Sequence, residues 1–306
     1  MRRLIVIALV GLAAQLVDGA LGMAYGVTST TLLLLAGISP ASASASVHLA
    51  EIGTTLASGI AHWRFGNVDW RVVTRIALPG AVGGFLGATA LSAVSTTAAA
   101  PWTSGLLLAL GGFLLYRFTR PLRPARPRPV RTRFLAPLGL FAGFVDSTGG
   151  GGWGPIATPA LLASGRMEPR KVVGSVSTAE FLVAAAASAG FLLGLGTSGF
   201  VLPTVLALLA GGIVAAPIAA WLVRHVPAQV MGAAVGGLIV ITNSRTLLRA
   251  FGLETSAGVV AYPLLAAVWV TALVVAVRLW RRTRAAAPAP STEPATAEAV
   301  AEPASL

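Results

Sequence analysis

The chain has 306 residues, of which 56% are hydrophobic and only 10% charged. A water-soluble domain carries about a quarter charged residues, so an ordinary soluble enzyme is excluded. The net charge of +12 is not gathered on a polar domain as a nucleic-acid surface would be; the cations, all arginine except Lys171, punctuate apolar runs as the loops of a membrane protein do. Cysteine is absent, which removes disulfides, thiolate metal sites and cysteine nucleophiles.

The first apolar stretch, 4–37, is interrupted by Val17-Asp18-Gly19-Ala20-Leu21-Gly22. Each side of the break has about 13 apolar residues, fewer than the roughly 20 a spanning helix needs, so a broken helix or re-entrant hairpin is expected. Spanning helices are predicted over 44–62, 73–94 and 101–118. A Pro/Arg linker follows, with seven arginines from Arg117 to Arg133, which no helix can cross. Stretch 134–165 is broken again, at Val145-Asp146-Ser147-Thr148-Gly149-Gly150-Gly151-Gly152. Four more spans are predicted over 172–195, 200–223, 228–248 and 257–279, ending in Arg278, Arg281, Arg282 and Arg284. The Pro/Ala/Glu-rich remainder lacks apolar periodicity and reads as disordered.

The two halves repeat. Asp18 aligns with Asp146, and at the same offset Gly11, Gly22 and Gly26 meet Gly139, Gly150 and Gly154. With one residue inserted, Ser46-Val47-His48-Leu49-Ala50-Glu51 meets Ser175-Val176-Ser177-Thr178-Ala179-Glu180. Matched blocks in the same order indicate duplication. If each broken segment returns to its starting side, only Arg2, Arg3, Arg245 and Arg249 violate the positive-inside rule; the crossing alternative misplaces more. The expected fold class is therefore an all-α polytopic membrane protein of two inverted repeats. Each repeat has a broken half-helix hairpin plus three spanning helices, and one extra helix follows. The expected divisions are 1–118, a cytoplasmic linker 119–133, 134–250, a final helix 251–284 and the tail 285–306.

Four of the ten acids, Asp18, Glu51, Asp146 and Glu180, lie inside apolar segments at repeat-equivalent positions. A carboxylate at mid-membrane costs roughly 2.5–3.5 kcal/mol, so these groups must be protonated, hydrogen-bonded or open to a polar cavity. One reading is a proton-coupled central site; the other is that Asp18 and Asp146 cap the broken helices. Both roles can hold at once. His48 and Glu51, at i and i+3 on one helix face, suggest a hydrogen bond or proton relay, with Ser177 and Glu180 as their counterparts. The set is too sparse for a metal site.

Half-helices starting near Met23–Thr28 and Trp153–Thr158 would point free N–H groups inward. Gly22, Gly26, Gly150, Gly151 and Gly154 would let a ligand approach the backbone. Thr28, Ser29, Thr30, Ser147, Thr148 and Thr158 add hydroxyls, and Gln15, one turn before Asp18, is a further polar candidate. Two such ends would bind an anion without a buried arginine. Glycine and threonine at these positions also serve plain close packing of helices. The Gly194–Gly199 match to G-x-G-x-x-G joins two spans and follows no strand, so no dinucleotide fold is implied. Gly80, Gly83, Gly84, Gly87, Gly232 and Gly236 form close-packing G-x-x-x-G pairs. Trp63, Trp70 and Trp280 read as interface anchors.

The Gln15-x-x-Asp18-Gly19-x-x-Gly22-x-x-x-Gly26 block, its counterpart from Gly143 to Gly152 and the Ser-Val-x-x-Ala-Glu pair resemble the sulfite exporter TauE/SafE family over residues 4 to 280. The resemblance implies a bacterial inner-membrane permease for a small anion, often a sulfur oxyanion or organosulfonate. His48 departs from the symmetry of the paired site. Three functions are weighed on the residues themselves. A secondary transporter of a small anion uses the duplicated scaffold. An intramembrane enzyme would use Asp18 and Asp146 as an acid pair. A channel or assembly partner would need no coupling, but the chain has no ring of like charges. Transport is the expected function, with no cofactor; the bilayer and a small anion are the expected partners, and nucleic acid is not.

Overall fold

A computed structural model describes residues 2–21, 23–120, 129–164, 166–222 and 228–285. Among them run eleven α-helices and one 3-10 turn, with no strand. The first half holds α1 (Arg2–Leu21), α2 (Tyr25–Leu35), α3 (Pro40–Arg64), α4 (Trp70–Ser92) and α5 (Thr96–Phe118). The second holds α6 (Thr132–Gly149), α7 (Trp153–Ala163), α8 (Pro169–Leu195), α9 (Leu202–Leu222) and α10 (Ala228–Ala250). A last helix, α11 (Glu254–Ala285), closes the described chain. The seven expected spans are thus seven helices of 21 to 32 residues. Gly22, most of the Pro/Arg linker and the tail beyond Ala285 lie outside the described residues.

On length and composition alone, α4, α5, α8 and α11 can cross a bilayer. Helices α3 and α10 match them in length but bury polar side chains, among them His48, Glu51 and Asn243. Apolar side chains such as Leu78 and Val82 on α4 and Val259 and Val260 on α11 stay exposed, as a lipid-facing surface requires. Trp63 and Trp70 are exposed at one end of that surface.

The broken segments differ from the expected pairs of equal pieces. The arms are 20 and 11 residues in the first half and 18 and 11 in the second. The first arm is long because the helix runs on past the aspartate: Asp18 and Asp146 lie in its last turn, before the break. The second segment returns to its own side, since Arg166 Nη1 beyond α7 donates to Pro129 O ahead of α6 at 3.0 Å. In the first segment Ile7 of α1 and Ile38, beyond α2, share one apolar cluster.

The halves interlock through equivalent contacts. Helix α6 packs on α4 and α1 on α9; α3 packs on α8 and α5 on α10. Repeat-equivalent helices α3 and α8 lie antiparallel. Asn67, just past the C-terminus of α3, meets Gly174 near the start of α8, while Ser46 near the start of α3 accepts from Val201 N beyond α8 at 3.1 Å. Ser175, equivalent to Ser46, accepts from Asp69 N ahead of α4 at 2.9 Å. Helices α5 and α10 also lie antiparallel, with Gly111 against Ile239 and Phe118 against Gly232. Small residues make these contacts possible: a Cβ on Gly83 would collide with Leu140 O, and one on Gly143 with Gly80 O. Two of the four arginines that broke the positive-inside count, Arg245 and Arg249, are both paired with Glu254, at 3.1 and 2.6 Å.

Candidate functional site

The two short arms begin at the centre of the molecule and face one another. A Cβ on Gly151, just before α7, would collide with Val27 N in the first turn of α2, and one on Gly26 would lie 2.7 Å from Gly151 Cα. Gly150 and Gly151 have φ +72° and +147°, conformations that suit glycine alone. Thr30 Oγ1 donates to Gly150 O across this junction. Each half-helix leaves its first N–H groups without a partner in its own helix, so both positive dipole ends converge here.

Each end is met by the aspartate from the preceding arm. Asp146 Oδ1 accepts from Gly152 N at 2.7 Å and Trp153 N at 3.0 Å. Among the described residues, Asp18 Oδ1 accepts only from Tyr25 N, at 3.4 Å. The first half is also the strained one: Ala24, at the N-cap of α2, has φ +128°, while its equivalent Gly152 has φ −122°. Tyr25 and Trp153, which open the two short helices, are tied down by Tyr25 Oη to Leu208 O at 3.4 Å and Trp153 Nε1 to Val176 O at 3.0 Å.

His48 does not bond Glu51, as its i, i+3 spacing suggested. Its Nε2 lies 3.1 Å from Asp146 Oδ2, joining α3 of one half to α6 of the other, and its Nδ1 lies 2.8 Å from Ser44 O. A carbonyl only accepts, so Nδ1 carries a hydrogen. The Nε2–Oδ2 contact therefore holds one proton shared by the imidazole and the carboxyl group: an imidazolium with a carboxylate, or an imidazole with a carboxylic acid. Both side chains are almost wholly buried. Phe191 packs beside the ring, its centroid 5.9 Å away. The tertiary fold overrides the local spacing because Asp146 arrives from another helix with one oxygen free.

Glu51 is 2% exposed, and neither of its carboxyl oxygens has a hydrogen-bond partner among the described residues. Glu51 lies on the same junction, its Oε1 3.0 Å from where a Gly26 Cβ would stand. Gln15, Thr28, Ser29, Ser147, Thr148, Thr158, Ser177 and Glu180 are also buried, and Gly154 is the second residue of α7, in its first turn. Among the described residues the hydroxyls of Thr28, Ser29 and Ser147 have no partner, whereas Thr148 Oγ1 donates to Phe144 O within its own helix at 2.8 Å.

Three contributors escape the repeat pattern. Ser44 Oγ donates to Ser147 O at 2.8 Å; it stands one turn before His48, the only hint being its place in a Ser/Ala-rich turn. Thr103 of α5 donates to Thr148 O at 3.1 Å. Asn243 of α10 donates to Thr31 Oγ1 at 2.9 Å, and an amide in an apolar span was the available signal.

Helices that expose apolar belts, broken arms meeting at the centre and buried acids around the meeting point define a multi-pass helical membrane transporter. The family described as sulfite exporter TauE/SafE matches residues 7–246. The chain belongs to that family. It is also 51% identical over 276 residues to the probable membrane transporter protein YtnM of Bacillus subtilis (strain 168), covering 89% of this chain and 92% of the relative. No solved structure matches. Family and relative make this a membrane transporter, and the reading as an intramembrane enzyme is set aside.

Proposed function

We propose that the chain carries a small anion, a sulfur oxyanion or organosulfonate, across the bacterial inner membrane together with protons. The observation that carries this reading is the position of Asp146. Its carboxylate occupies the N–H groups at the inner end of α7, the place a half-helix offers to an oxyanion. An incoming anion must displace it, and protonation of Asp146 weakens its hold by removing the charge from the hydrogen bond. The His48–Asp146 pair carries no net charge with one proton and a single positive charge with two. A second proton therefore balances one negative charge on the substrate, in surroundings where an unbalanced charge is costly. Glu51 and Glu180 are the further proton carriers in this scheme, and Gln15, Thr28, Ser29, Ser147, Thr148 and Thr158 the polar contacts. The glycines at 26, 150, 151 and 154 admit the ligand to the backbone.

The antiparallel packing of α3 on α8 and of α5 on α10 supports an inverted arrangement of the two halves, with the meeting point of α2 and α7 near the midplane. Alternating access then exposes one junction to either side.

Calorimetric titration of the purified protein with methanesulfonate and sulfoacetate, in buffers of differing ionisation enthalpy, tests the coupling. Sulfonate stays charged throughout, so proton uptake reports on the protein. Binding with about one proton taken up per negative charge is expected. Binding without proton uptake, or no binding of either anion, contradicts the reading.

A further inference from the structure

A second concentration of positive charge lies away from the central junction, at the arginine-rich end of the molecule. A cavity of about 560 Å³ opens there between the start of α4 in the first half and the α7–α8 connection in the second. Arg71 and Arg75 line it from α4, and Arg166 and Lys171 from the other side. Two acids share the rim, but each is committed elsewhere. Asp69 Oδ1 accepts from Arg71 N and Val72 N as the N-cap of α4, and Glu168 pairs with Arg170 at 2.7 Å. Arg166 is held by Pro129 O. Among the described residues, Arg71, Arg75 and Lys171 form no ion pair.

Four cations and two acids line the cavity, and the net positive charge favours an anion among them. The apolar part of the lining is made by Val72, Val130 and Met167, all buried. The size is that of a small-molecule site, several times what a bare inorganic oxyanion fills. Cations interleaved with aliphatic side chains match a ligand with a charged head and an apolar body.

We propose that this cavity is a second anion site, separate from the central one, which takes an organic anion bearing a sulfonate or phosphate head on a short aliphatic body. The head sits on Arg71, Arg75 and Lys171, and the body on Val72, Val130 and Met167. A ligand here bridges α4 of the first half to α8 of the second, so its occupancy restrains their separation at this end.

The test uses the full chain in nanodiscs of phosphatidylcholine. Calorimetry then compares ethanesulfonate with hexanesulfonate. Burying methylenes favours binding by up to about fourfold each, so the longer chain is expected to bind at least about tenfold tighter. Arg75→Gln combined with Lys171→Gln, the first exposed and the second half-buried, is expected to weaken hexanesulfonate by about tenfold or more without lowering the melting temperature of the unliganded protein. Equal affinity for the two sulfonates, or an unchanged affinity in the double variant, overturns the proposal. A headgroup phosphate and a soluble anion share this chemistry. Competition by phosphatidylglycerol discs assigns the site to lipid, and undiminished binding in them assigns it to a soluble anion. The central reading stands or falls separately, since it is read by proton uptake, and this site by chain length and by the Arg75→Gln/Lys171→Gln pair.

Discussion

The Asp146 carboxyl group serves two partners through its two oxygens, one on the α7 amides and one on His48. Asparagine can mimic both bonds: its carbonyl accepts from Gly152 and Trp153, and its amide donates to an imidazole protonated on Nδ1. Alanine can mimic neither. Asp146→Asn should therefore leave the melting temperature in detergent nearly unchanged. Asp146→Ala should cost about 2–4 kcal/mol, from the lost cap and the orphaned Nε2, and lower it by several degrees. Much at this scale was legible in advance. Acids are so costly in apolar segments that Asp18, Glu51, Asp146 and Glu180 announce themselves by composition. The partner of His48 was not legible, because i, i+3 spacing reports only neighbours on one helix and Asp146 comes from 98 residues further along. Ser44 and Asn243 were missed for the related reason that a lone hydroxyl or amide in a span carries no periodic signal.

Helices in this molecule approach one another through glycine where backbones must nearly touch, and the sequence motif marks those places only partly. Gly83 and Gly112 both lie within predicted spans, yet a Cβ at Gly83 would meet the Leu140 carbonyl while one at Gly112 would meet open space. Gly83→Ala should destabilise by about 1–3 kcal/mol through overpacking of α4 on α6. Gly112→Ala should be neutral or stabilise by up to about 1 kcal/mol, through helix propensity. Thermal melting of the two variants side by side checks the contrast; equal effects would mean that α4 and α6 are not in such close contact. The breaks at 18–24 and 146–152 were legible from glycine and aspartate, but the unequal arms were not. Counting apolar residues ends an arm at the acid, whereas the backbone continues its hydrogen bonding for another turn and lets the side chain reach forward.

Across the whole molecule, duplication in the sequence becomes a crossing of halves in space: Ser46 holds the start of α9 and Ser175 the start of α4. Such swapped contacts cannot be read from either half alone, although the repeat offset says which residues to compare. The proposed inverted arrangement has a direct consequence for loops at equivalent positions. In this cysteine-free chain, single cysteines at Phe65 and Glu168 should react with an impermeant thiol reagent from the cytoplasmic side only, and cysteines at Ser95 and Ser198 from the outside only. Labelling of Phe65 and Ser198 positions from the same face would contradict inversion. The central claim, that the proton shared by His48 and Asp146 is exchanged for substrate charge, is tested most directly by flux. Proteoliposomes carrying wild-type or Asp146→Asn protein would be given labelled sulfoacetate with and without an imposed pH gradient. Gradient-driven accumulation by the wild type, and its loss in the folded Asp146→Asn variant, is the predicted result; accumulation by the variant to the wild-type level would contradict it.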